Sequence, residues 1–429
     1  MFKNILVILL LFSCSKKFEY DSNDYKQLER IEAVENLIEL RKEQASQYDL
    51  NSKYEIILDR FKSQFLLYPT HLVIRSYNTN KTDQIAVIDE TAFYLFYLSQ
   101  IINKTNFDEV EREVYKVISD IYKMDEVNGF DGFLPKNVGF DLISNRLKQY
   151  EGEIHSNNYS ILMFGYASIY QNVENLKIRS LISDHVTMIA KRYIENDLKL
   201  VDETGKEIEV SNLRTRHLSR ELDALVIFEV AANIANNQKD RDQFELLVSK
   251  LIEKKYIRNK KKVHFKLFNF QIPSHSSNWL NLLRLYTLAN LTDKKVYMHN
   301  FDKLYDVLRV EYNPFFDALS MSLYDSDSQN ALHDIKYYLE TFPIAFDNSE
   351  IISSYLDNID LEAVPRYTKN LQEAEVKFPL PIYQRPMVYF EWKANQRRVD
   401  GNFNQSGDIE FSGLDFLVLY SMYNNLVIE

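Results

Sequence analysis

The chain has 429 residues, a formal net charge of −11, and 45% hydrophobic against 26% charged residues, the balance of a folded protein. So acidic a chain lacks the concentrated basic face that general nucleic-acid binding requires. Its single cysteine excludes an intrachain disulfide and a cysteine-built zinc or iron–sulfur site. The nine glycines are spaced so that none forms a dinucleotide fingerprint, a P-loop or a nucleophile elbow.

The N-terminus reads MFKNILVILLLFSCSKK, with Lys3 ahead of an apolar stretch from Ile5 to Phe12. As a helix that stretch spans about 12 Å, well short of a bilayer core of roughly 30 Å. It reads as a signal peptide over 1–13 rather than a membrane-spanning anchor. Cys14 follows Leu11, Phe12 and Ser13 directly, the pattern of a bacterial lipobox, with an apolar residue at −3 and a small one at −1. The expectation is that Cys14 is acylated, palmitate included, and becomes the first residue of a mature lipoprotein. Residues 14–24 would then be a polar tether, with the lipid bilayer as a partner. The expected address is the cell envelope, the outer membrane before the inner, facing the periplasm or the exterior. Several acyl chains anchor stably where a single chain would be marginal.

Beyond the leader, helical patterns of two kinds alternate. The stretches 90–102, 157–170, 220–235, 278–291, 315–324 and 414–427 are apolar almost all round, as helices buried on every side are. The stretches 107–124, 176–195, 241–254, 294–310 and 329–342 carry one apolar stripe, such as Val110, Val114, Ile118 and Ile121 in the first. Strand signals are few: 71–89, a hairpin at 199–210 turning at Gly205, and 262–272. Six buried helices against five amphipathic ones predict a closed two-layer ring, an all-α (α/α)6 toroid. In it 25–429 form one domain, and the charged segment 25–47 supplies the missing outer partner of the last helix. A solenoid of helix pairs is the structural alternative. Links from buried to amphipathic helices are short, whereas 125–156, 196–219, 255–277 and 342–413 are long. The long links therefore share one face, at the N-termini of the inner helices, where helix dipoles favour anions.

That face collects the candidate site residues. Polar clusters precede the inner helices: Asp89 and Glu90; His155 to Asn158; Arg214 to His217, with Glu221 and Asp223 just after; His275 to Trp279; Glu311 to Asp317; and, in the last link, Arg385, Glu391 and Trp392. Each alone is also what a helix cap looks like. Arg216, His217, His275, Asn278, Arg385 and Trp392 are the candidate ligand-binding residues. Two arginines among them favour a ligand bearing a carboxylate or phosphate, unless they pair with neighbouring glutamates. Glu311, Glu391 and Asp89 are the candidate catalytic acids, within a wider set that includes Asp131, Glu221 and Asp317. The eight histidines form neither H-x-H nor H-E-x-x-H, so no metal site and no cofactor is expected. The spacing Asp325, Asp327, Gln329 lacks the Gly and Glu of a calcium loop and reads as a helix cap. Abundant tyrosine and phenylalanine fit a core, and also suit flat sugar faces.

The runs Asp131–Pro135, Arg214-x-Arg216-His217, His275-Ser-Ser-Asn278, Glu311-Tyr-Asn-Pro-Phe-Phe-Asp317 and 379–386 (PLPIYQRP) resemble a group of uncharacterised bacterial lipoproteins. The resemblance covers roughly 80–429 and implies the six-hairpin glycosidase-like (α/α) toroid fold. Members typically continue with Trp-Gln-Arg-Asp-Pro, whereas this chain has Glu391-Trp-Lys-Ala-Asn395. Three readings stay open at this point. The first is a lipoprotein that binds a glycan or other envelope ligand in the ring. The second is a glycoside hydrolase or polysaccharide lyase using loop-face carboxylates or His and Arg. The third is a structural envelope protein.

Overall fold

The computed structural model describes residues 22–78, 84–104, 107–129, 131–141, 143–150, 153–202, 205–214, 218–261, 275–309, 312–324, 328–344, 392–393 and 409–428. Among them thirteen helices alternate between two layers. The inner helices are α3 (Ile88–Ile101), α5 (Ser156–Asn172), α7 (Leu218–Ile234), α9 (His275–Leu291), α11 (Pro314–Tyr324) and α13 (Leu414–Ile428). Each packs on the next, and α13 packs on both α11 and α3, which closes the ring. The fold is therefore an all-α (α/α)6 toroid and not an open solenoid.

The outer layer holds α4 (Phe107–Asn128), α6 (Leu176–Glu195), α8 (Gln238–Lys261), α10 (Lys295–Leu308) and α12 (Gln329–Thr341), each following the inner helix that it covers. The stripes behave as their spacing requires. In α4, Val110, Val114, Val117, Ile118 and Ile121 are buried, and in α6 so are Ile178, Ile182, Ile189 and Tyr193. Inner helices instead bury residues all round, as α3 does from Thr91 to Ser99.

The sixth outer position is a correction. The segment expected there, 25–47, lies within α1 (Ser22–Gln47), which packs against α12. The helix on α13 is α2 (Leu50–Gln64). Asp49 caps it by accepting the Ser52 N–H at 2.8 Å, and Ile57 and Phe61 are its fully buried face. Tyr54 of α2 stacks on Tyr420 of α13 at 4.6 Å, and Lys53 reaches across to donate to the carbonyls of Glu340 and Phe342 at the end of α12. A buried lysine spent on helix-end carbonyls satisfies acceptors that have no partner inside their own helix.

Two small antiparallel sheets dress one end of the ring. Strands β1 (Ser76–Asn78) and β5 (Ile409–Phe411) pair, and β2 (Ala86–Val87), β3 (Asn137–Asp141) and β4 (Arg146–Gln149) form the other sheet. The first thus ties the segment before α3 to the segment before α13. The turn expected at Gly205 is present, with the Gly205 N–H on the Asp202 carbonyl at 3.0 Å and a single bridge between Val201 and Glu207. The strand signal at 262–272 lies outside the described residues. Glycine is required where the layers approach most closely. A Cβ on Gly165 of α5 would stand 2.7 Å from the Ala92 carbonyl oxygen of α3, and Gly132, at φ +74°, passes against the backbone of Met188 and Ile189.

Candidate functional site

All six inner helices begin at the same end of the ring, and several carry acids in their first two turns. Asp89 and Glu90 open α3, Asp223 lies in the second turn of α7, and Asp415 opens α13. Facing them are Arg220 of α7, Arg284 of α9, Arg75 just before β1, and Lys393.

Asp223 is the most enclosed of these acids, at 1% exposure. Its Oδ1 lies 2.6 Å from Arg284 Nη2 and accepts the Ser160 hydroxyl at 2.7 Å. Its Oδ2 accepts the Ser156 hydroxyl at 2.6 Å. Arg284 is almost as enclosed and spends a second nitrogen on Asn281 Oδ1 at 2.8 Å. Burial pulls the Arg284 pKa down, and the Asp223 charge pulls it back. Arg220 donates to Ser156 at the rim of the same cluster. One connected lattice therefore joins α5, α7 and α9.

A second pair joins α3 to the last link. Lys393 Nζ lies 2.8 Å from both oxygens of Glu90 and 3.8 Å from Asp415, so Glu90 is held bidentate by one ammonium. Trp392, beside it, is fully buried. It stacks on Phe315 of α11 at 3.7 Å and meets Phe93 of α3 and Trp279 of α9 edge-on at 5.1 and 5.9 Å. Asn313 holds its carbonyl and caps α11 through the Phe315 N–H at 3.0 Å. These contacts seat the 392–393 pair among three inner helices.

Asp89 stands between the two groups and is half-buried. Its Oδ1 accepts from Asn158 Nδ2 at 2.7 Å, while Asn158 Oδ1 takes the His155 N–H at 2.8 Å. Burial raises the Asp89 pKa above the usual carboxylate range; the Asn158 hydrogen bond lowers it, Glu90 adds to the rise, and Lys393 and Lys136 oppose it. A half-buried carboxyl inclined to keep its proton can donate a hydrogen bond or a proton to a ligand oxygen.

Of the sequence candidates, Asp89 falls inside this cluster. Trp392 is corrected: with no exposed surface it cannot touch a ligand, and it acts as a keystone of the ring. Asp317 is bound by the Tyr305 hydroxyl at 2.6 Å against the outer layer, and Asp131 is exposed. His275 opens α9 and Asn278 lies in its first turn, with side chains outside the described residues. Cys14, Arg216, His217, Glu311, Arg385 and Glu391 also lie outside them. The sequence reading missed Arg284 and Asn281. Their signal was available, because an arginine inside an otherwise apolar helix must find a buried partner.

No family model matches the chain, and no curated protein matches it. Solved structures similar to it include the following two. One is the GH76 α-mannanase of Bacteroides thetaiotaomicron, at 9% identity and a TM-score of 0.43, covering 89% of this chain and 96% of that one. The other is a sugar epimerase from a ruminal bacterium, at 10% identity and a TM-score of 0.39, covering 90% and 98%.

Proposed function

We propose that this protein is a lipid-anchored envelope protein whose ring binds a glycan at the N-terminal end of its inner helices. The observation that supports this is the composition of that end. A lattice of carboxylates, hydroxyls, amides and guanidinium groups lies beside half-buried Trp279 and the aromatic wall behind it. Sugar rings are amphipathic, with hydroxyls around the edge and C–H groups on the faces, and sites that hold them offer both kinds of surface. Among the described residues Arg220, Arg284 and Lys393 each face a carboxylate. The described part of the mouth is thus charge-balanced, and Arg216 and Arg385 lie outside the described residues. The anionic ligand rested on Arg216 and Arg385.

Binding of the full chain in detergent to a panel of hexasaccharides (β-1,4-glucan, α-mannan, polygalacturonate) and muropeptides tests the proposal. Saturable binding to at least one, lost in Asp89→Ala with folding intact, is the expected result. No binding across the panel would overturn it.

One observation favours catalysis as a second reading. Burial pushes the Asp89 pKa upward, the direction that suits a general acid, and hydrolysis would require a second carboxylate across the bound sugar. Reducing-end release from the same panel separates binding alone from hydrolysis. The anchoring half of the proposal rests on Cys14. Cys14→Ala should move the protein from the membrane to the soluble fraction, and unchanged partitioning would refute it.

A further inference from the structure

At the mouth Arg75, Arg220, Arg284 and Lys393 each lie within 4.0 Å of a carboxylate. Lys136 differs: it is half-buried, and its ammonium has no ion pair and no hydrogen bond among the described residues. It stands just before β3, where Val87 pairs with Asn137, so it lies opposite Ile88 and its carbonyl accepts the Ile88 N–H at 3.3 Å. That pairing fixes it beside Asp89, the next residue of α3. Asp89 does not satisfy it, because Asp89 Oδ1 is taken by Asn158 Nδ2 at 2.7 Å and burial favours the uncharged carboxyl.

Two further groups border the same corner. Half-buried His155 precedes α5, and its N–H is held by Asn158 Oδ1, on the same amide that binds Asp89. Arg220 reaches across from α7 to the Ser156 hydroxyl at the first residue of α5. Burial pushes the His155 pKa down, and the charges of Lys136 and Arg220 push it further, against Glu153 and Asp223. A depressed imidazole pKa reports positive potential at that spot. The first turns of α3, α7, α11 and α13 carry acids, whereas that of α5 carries none, so no acid there offsets the helix dipole. Cations gathered at such a place repel one another until an anion joins them.

We infer that the corner bounded by Lys136, His155 and Arg220 is a carboxylate subsite of the mouth, and that it takes the carboxylate of a hexuronate within a glycan. The inference rests on the glycan reading above and names the class of sugar. Arg220 already faces Asp223 at 4.0 Å, and His155 is neutral at pH 7, which leaves the single surplus charge of Lys136. One surplus charge matches a carboxylate and falls short of a doubly charged phosphate monoester. Neutral His155 and the Ser156 hydroxyl remain as hydrogen-bonding neighbours for the sugar.

Calorimetric titration of the full chain in detergent with the galacturonate, glucan and mannan hexasaccharides tests it. The uronate should bind more tightly than either neutral hexasaccharide by about tenfold, and its affinity should fall as salt rises while neutral binding holds. Lys136→Gln should remove that advantage and leave neutral binding as it was, and Lys136→Arg, which keeps the charge, should preserve it. Equal uronate affinity in Lys136→Gln and wild type overturns the subsite, and so does a loss shared equally by charged and neutral sugars. Where Lys136→Gln does not fold, the salt series on the wild type decides, and a uronate affinity indifferent to salt overturns the subsite. A wild type that binds another member of the panel but not the uronate also overturns it and leaves the glycan reading standing. A wild type that binds no member removes both.

Discussion

Asp89 is a side chain whose charge the fold opposes, and that gives it a measurable signature. A carboxyl with its folded pKa above the unfolded one binds more protons in the native state. Ionising it therefore costs stability, and that cost grows as pH rises from the ordinary Asp range through the raised value. Asp89→Asn removes the penalty and can still accept the Asn158 hydrogen bond. Its melting temperature should exceed wild type at pH 8, and the gap should close as pH falls to about 4. Arg284 behaves in the opposite way, because it neutralises Asp223 where no water can. Arg284→Met leaves that carboxylate buried and unpaired, at a cost of about 3–5 kcal/mol readable as a shift in urea midpoint. A loss under 1 kcal/mol would mean that the two serine hydroxyls alone hold the charge.

At the scale of elements, ring closure depends on one helix arriving from the far end of the chain. α2 covers α13, so a chain that begins at Asp49 should keep a cooperative unfolding transition. One that begins after Gln64 exposes a flank of an apolar inner helix and should lose it. Thermal unfolding by circular dichroism separates the two, and equal behaviour would contradict the pairing. Gly165→Ala tests the close contact of α3 and α5. A methyl group 2.7 Å from a carbonyl oxygen forces the helices apart, at a cost of about 1–3 kcal/mol. The alternation of all-round and one-sided apolar patterns revealed eleven helices, because periodicity reports directly which faces are buried. It misassigned the twelfth position, because 25–47 and Leu50–Gln64 are both charged and amphipathic, and which one meets α13 is decided by tertiary packing. The place of Asp89 was legible, since two acids open an apolar helix. Trp392 was misread, since a tryptophan in a polar link gives no sign of which helices it is wedged between. The β3–β4 hairpin was missed because Arg146–Gln149 has no apolar alternation.

For the whole molecule, the account joins a closed ring, a polar mouth at one end of it, and a glycan held there. The chain offers a built-in probe, for it has two tryptophans in all, Trp279 and Trp392, and both belong to that mouth, 5.9 Å apart. Intrinsic tryptophan emission therefore reports on the proposed site and on no other part of the protein. The most direct measurement is a titration of the full chain with the hexasaccharide that it binds, followed in parallel by tryptophan emission and by calorimetry. The account predicts a saturable change in emission whose midpoint matches the calorimetric dissociation constant. Calorimetric binding with unchanged emission would place the glycan elsewhere on the molecule and contradict the account.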